Sequence, residues 1–143
     1  MSARPPHDVD GLAAQFVAAT LPKDAWTHEA HLIVGLWHVE RYGAVEALER
    51  LRSSIRRLND AHGTPNSETR GYHETITTAY VQLLDAFRSR YPVATLEECA
   101  GLLLGSPVAR PDLLFAHYSR ERLLSVEARR AWVEPDLRPL DPL

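Results

Sequence analysis

A single cysteine, Cys99, stands among 143 residues. One thiol excludes an intramolecular disulfide and any multi-cysteine zinc site, and it suits a reducing compartment. No run of about 18 apolar residues occurs, so no segment reads as a membrane span. The stretch from Met1 to Val9 lacks the apolar core of a signal peptide, and the expected localisation is cytoplasmic. Positive charge is not in excess either. Lys and Arg number 16 against 19 Asp and Glu, a net charge of −3, which argues against a nucleic-acid-binding surface. β-Branched residues never alternate over a strand length, so no sheet is expected.

What is present is an ordinary globular composition, 45% hydrophobic and 24% charged, long enough to bury the core of one domain. Most of the seven glycines and ten prolines fall between periodic segments. The spacing predicts a first helix over 10–21, stopped by Pro22. A second follows the N-cap residue Thr27 and runs to Tyr42, with Gly43 just past its end. A third covers 44–62, with Val45, Leu48, Leu51, Ile55 and Leu58 on one face and a charged face that includes Arg52 and Arg56. Residues 62–70 read as a loop. A fourth helix spans 72–91, and Thr95 with Glu98 announces a fifth through a capping box. Short helices are expected over 112–117 and 125–132. The fold class is therefore all-α: one helical bundle of about five main helices plus short C-terminal ones, with a flexible start at 1–8 and an irregular tail over 134–143.

Histidine carries the chemistry. His28 and His31 lie three residues apart, about 60° round a helix wheel, on an arc that bears Leu32, Gly35, Leu36 and Val39 and no charge. Both rings are expected to face the interior, and Gly35 leaves a space one turn beyond His31. His73 opens the fourth helix near Tyr80 and Leu84. Three imidazoles around one open position would make a catalytic-type metal site for Zn or Fe. Glu29 and Glu74 sit about 100° from their neighbouring histidines. That spacing suits a role behind the ligands or as an acid/base better than direct ligation. The pattern is neither the i, i+4 zinc-protease motif nor a di-iron Glu-x-x-His pair. His38 reads as a packed histidine, His117 as a residue that could approach the cluster, and Cys99 as a small buried hydrophobe. Ser119 lacks the glycine-flanked elbow of a serine hydrolase.

Three blocks together resemble a family of small bacterial helical proteins without an assigned activity. Trp26-Thr27-His28-Glu29-Ala30-His31-Leu32 resembles its Phe/Trp-Thr-His-x-x-His motif. Tyr72-His73-Glu74-Thr75-Ile76-Thr77 is similar to its Tyr-His-Glu-Thr-Ile-Thr signature. Tyr118-Ser119-Arg120-Glu121-Arg122-Leu123 and the following Pro135-Asp136 look like its C-terminal block. The resemblance singles out His28, His31, His73, Glu74, Tyr118, Ser119 and Arg122, and departs at Glu29-Ala30.

Three functional readings follow. In the first, His28, His31 and His73 hold a divalent metal of a small enzyme, with Glu74 as a fourth ligand or acid/base. Tyr118 and Arg122 then position an unidentified small-molecule substrate. In the second, the same histidines hydrogen-bond a small molecule in an apolar, metal-free pocket. In the third, the polar residues form a satisfied network that fixes the fold. The helical faces leave room for a homodimer.

Overall fold

The computed structural model describes residues 8–140. Most of the flexible start expected at 1–8 and the last three residues of the expected tail lie outside them. Every regular element among the described residues is helical.

Helix α1, Val9–Val17, begins where the Asp8 carboxylate accepts the Gly11 N–H at 2.9 Å, and it buries Val9, Ala13 and Phe16. A 3-10 turn at Lys23–Ala25 leads into Thr27, whose side chain caps α2 by accepting the Ala30 N–H at 3.1 Å. Helix α2 spans His28–Ala61 but is not one rod, because Gly43 has φ 76° and ψ 167°. That region is open essentially to glycine alone, and it turns the chain back on itself. A straight helix would hold Gly35 and Leu51 about 24 Å apart; here both line one cavity, as do Leu32 and Ile55. The two halves of α2 therefore form an antiparallel helical hairpin, which is the pair of helices separated by Gly43 that the sequence predicts.

Loop 62–73 is pinned by Asn66, whose Oδ1 accepts from Asn59 Nδ2 and from the Tyr72 N–H, both at 3.0 Å. Helix α3, Glu74–Arg90, packs along α2 and on the segment Val126–Arg130, while α1 packs on α2. Helix α4, Leu96–Leu104, carries the expected capping box between Thr95 and Glu98. Two further 3-10 turns, Pro107–Ala109 and Leu113–Ala116, precede two short helices, α5 at Arg120–Leu123 and α6 at Val126–Arg130. Phe16, Leu32, Leu36, Leu58, Leu84, Leu103, Tyr118 and Leu123 are among the core side chains withdrawn from water, each worth about 1.5–3 kcal/mol of transfer free energy for the large aliphatics and phenylalanine. No described helix is long and apolar enough to cross a membrane.

Candidate functional site

The hairpin of α2 and the face of α3 do not close completely. Between them lies a cavity of about 290 Å³. Its wall is aliphatic, from Leu32, Leu51, Ile55, Ile76, Val81 and Leu84, and it is edged by Trp26, His28, His31, Thr77 and Tyr80. Gly35 explains how closely α2 and α3 approach beside it. A Cβ built there would come within 2.6 Å of Leu84 Cδ1. The space that the sequence reading assigned to Gly35 is thus taken in part by Leu84 from the facing helix.

His28 and His31 share this cavity, as their spacing predicts. His31 Nδ1–H donates to the Thr27 carbonyl at 2.7 Å, and its ring stacks on Trp26 with centroids 3.6 Å apart. Trp26 stacks in turn on Phe16 at 5.0 Å. Crowding by protein atoms pushes the His31 imidazole below its ordinary pKa; the bond to Thr27 opposes this, and His28 adds a small push the same way. The side chain nevertheless keeps accessible surface, and water reaching that surface moderates the effect. His28 Nε2–H donates to the Ala109 carbonyl at 3.2 Å, which ties the site to the turn after α4. Its ring meets Tyr80 edge-on, centroids 6.1 Å apart.

The expected convergence of His28, His31 and His73 does not occur. Among the described residues no group of three or more His, Cys, Asp or Glu is arranged to hold a metal ion, and His73 is absent from the cavity wall. The reason lies in the backbone. His73 is not the first residue of α3 but its N-cap, with φ −132° and ψ 111°. Its Nδ1 accepts the Ile76 N–H at 3.1 Å, and its Nε2–H donates to the Leu123 carbonyl at 2.8 Å. A neutral imidazole has one donor and one lone pair. Both are committed, so nothing remains for a metal. Burial lowers the His73 pKa, Arg129 adds to this, and the bond to Leu123 opposes it.

The three residues expected to act on a substrate lie elsewhere too. Glu74 takes both Arg52 Nε (2.9 Å) and Nη2 (2.7 Å), and accepts from Tyr72 Oη at 2.7 Å. The Arg52 guanidinium holds its carboxyl below the usual range, against the opposing pull of burial. Tyr118 is fully buried and donates to the Val133 carbonyl at 2.7 Å; burial pushes its phenol up to about 12. Arg122 Nε donates to the Glu134 carbonyl at 2.6 Å, and the Ser119 N–H donates to Asp136 at 2.7 Å. All of these contacts are internal ties. His117 does not approach the histidines either, since its Nδ1–H donates to the Pro139 carbonyl at 3.0 Å. His38 is buried, as expected, with Nδ1–H donating to the Val34 carbonyl at 2.8 Å.

Comparison with protein-family models, curated proteins and solved structures gives no match.

What this site can do follows from its own groups. It offers an aliphatic wall, an aromatic stack and a few polar edges, with no Lys, Arg, Asp or Glu in the lining. Such a space suits a ligand held mainly by apolar contact and oriented by one or two hydrogen bonds. Sequence reasoning put His28 and His31 on one face and brought Leu84 and Tyr80 into view; both histidines edge the cavity, but His31 is exposed rather than turned fully inward. It missed Leu51 and Ile55 as wall residues, because they come from the other half of the hairpin. It also read Arg52 as free surface. The partner of Arg52 is 22 positions away, beyond any local pattern.

Proposed function

We propose that this chain binds a small, mainly apolar molecule in the cavity between the α2 hairpin and α3, without a metal ion. The observation that carries this reading is the cavity itself: about 290 Å³, walled by aliphatic side chains and edged by imidazole and phenol groups. Leu32, Leu51, Val81 and Leu84 at its base are buried while Ile55, Ile76 and Tyr80 stay partly exposed, so the space opens to solvent and presents apolar surface that a ligand would withdraw from water. The metal-dependent reading draws no support from the donor set, because His73 has no lone pair to give. The other two motif blocks serve the fold. His73 and Glu74 tie the start of α3 to Leu123 and Arg52, and Tyr118 and Arg122 fasten the C-terminal segment to itself at Val133 and Glu134.

The test is thermal and spectroscopic. Naphthalene is titrated into the purified protein while unfolding is followed by circular dichroism and Trp26 by fluorescence. Saturation at about a hundred times Kd is expected to add roughly 2.7 kcal/mol of stability, a rise in Tm of about 8 °C at this chain length. Ile55→Trp, which places an indole in the cavity, is expected to fold and to lose the response. An equal shift in both proteins, or none in the wild type, overturns the reading.

A further inference from the structure

The hydrogen bonds at the edge of the cavity fix more than the shape of its ligand. A carbonyl oxygen can only accept. His31 Nδ1 lies 2.7 Å from the Thr27 carbonyl, so that nitrogen carries the proton. His28 Nε2 lies 3.2 Å from the Ala109 carbonyl, so there the proton sits on Nε2. The second nitrogen of each ring, His31 Nε2 and His28 Nδ1, is then a bare lone pair. Neither takes a hydrogen bond from any described residue. Crowding by protein atoms lowers the His31 pKa, which favours the neutral ring and its free lone pair. The two backbone carbonyls thus hold both imidazoles in tautomers whose remaining ring nitrogen, on residues that edge the cavity, is an acceptor.

Building on the proposed ligand site, we infer that its natural ligand is an uncharged molecule of two-ring size that carries a hydroxyl or N–H donor, as a bicyclic phenol does. The size follows from the volume. A cavity of about 150 Å³ holds benzene, and this one is about twice as large. The lack of charge follows from the lining, in which no ionic side chain could compensate a buried carboxylate, phosphate or ammonium. The donor follows from the two lone pairs. A hydroxyl fits best, because its proton satisfies an imidazole while its oxygen can accept from Tyr80, whose phenol also edges the cavity. Thr77 is not a competing donor, because its hydroxyl already donates to the His73 carbonyl at 2.8 Å.

Isothermal titration at mildly alkaline pH separates this inference from the reading beneath it. Three probes of nearly equal size are compared: 1-naphthol, 1-methoxynaphthalene, which lacks the hydroxyl proton, and the anion 1-naphthoate. Naphthol is expected to bind about tenfold more tightly than the methyl ether, the net worth of one good hydrogen bond, and naphthoate to bind more weakly than both. His31→Phe keeps a ring to stack on Trp26 but removes the lone pair. In the His28→Phe/His31→Phe double variant the ratio of naphthol to ether affinity is expected to fall to about one, whatever change the two affinities share. Equal binding of naphthol and its ether by the wild type, or tightest binding by naphthoate, overturns the donor inference and leaves the apolar pocket standing. Failure of all three probes to bind overturns both. A naphthol preference that survives in the double variant shows that the histidines do not read the donor.

Discussion

His73→Ala distinguishes a structural histidine from a metal ligand. The ring makes two bonds in a nearly water-free setting, with 7% of the residue exposed. Its Nδ1 is the N-cap acceptor of α3, and loss of such a cap costs about 1 kcal/mol. Its Nε2–H satisfies the Leu123 carbonyl at 2.8 Å, and a buried acceptor left without a donor costs about 1–3 kcal/mol. Together the substitution is expected to destabilise the protein by about 2–4 kcal/mol, or roughly 6–12 °C in Tm at about 3 °C per kcal/mol. His73→Asn can still cap the helix but cannot reach Leu123 in the same way, so it is expected to recover about 1 kcal/mol of the loss. Urea unfolding followed at the helix band gives the comparison, with an unchanged m-value indicating that stability alone has moved. The reasoning is refuted if His73→Ala unfolds like the wild type. It is refuted more pointedly if the wild type carries stoichiometric metal that this substitution removes.

Three other substitutions or conditions probe separate parts of the account. Thr75 is fully buried; its hydroxyl donates to the Ala131 carbonyl at 2.8 Å and accepts the Val133 N–H at 3.1 Å. Thr75→Val therefore orphans two backbone groups and is expected to cost about 2–4 kcal/mol; a urea midpoint within error of wild type contradicts this. Gly43→Ala meets no neighbour within 4 Å, so its expected cost of about 1–3 kcal/mol comes from the backbone alone, and an unaffected variant would mean that α2 does not turn there. His38 and His73 are buried, and burial is the main cause that lowers both their pKa values. The unfolded chain then binds more protons than the folded one once the pH drops below about 6.5. Stability is fully present above that point and falls as the pH approaches the folded-state values, by at most about 1.4 kcal/mol per pH unit for each ring. Glu74, held down by Arg52, adds its own loss only in the more acid carboxylate range. Urea midpoints that stay level or rise on going from about pH 7 to about pH 5.5 would contradict the burial of these rings.

Local signals carried the fold far. Thr27, Gly43 and the Thr95–Glu98 pair are residues whose side chains or backbone freedom act within a few positions, and the helices begin and end beside them. The short helix α5 escaped notice because four residues are too few to show a period. At the site, His28 and His31 were legible because three positions of helix fix their relation whatever the rest of the chain does. His73 was not. Wheel geometry applies only to residues with helical backbone, and a cap in extended conformation sends its side chain back along the chain. The long-range ties of Glu74 to Arg52, Tyr118 to Val133 and Arg122 to Glu134 leave no periodic trace. Their polar residue types suggested chemistry where the molecule uses them as fastenings.

The reversal at Gly43 also bears on the order in which the molecule assembles. Leu32 and Gly35 from one half, and Leu51 and Ile55 from the other, line one cavity across a turn a single residue long, so this helix pair closes with little loop entropy. Pairings that local are associated with fast folding. The hairpin is expected to form early, with α3 laid against it next. The segments beyond Leu104 would arrive last and latch on through backbone groups that include the carbonyls of Ala109, Leu123 and Ala131. The walls of the cavity would then be in place before the Ala109 carbonyl that fixes the proton on His28 Nε2.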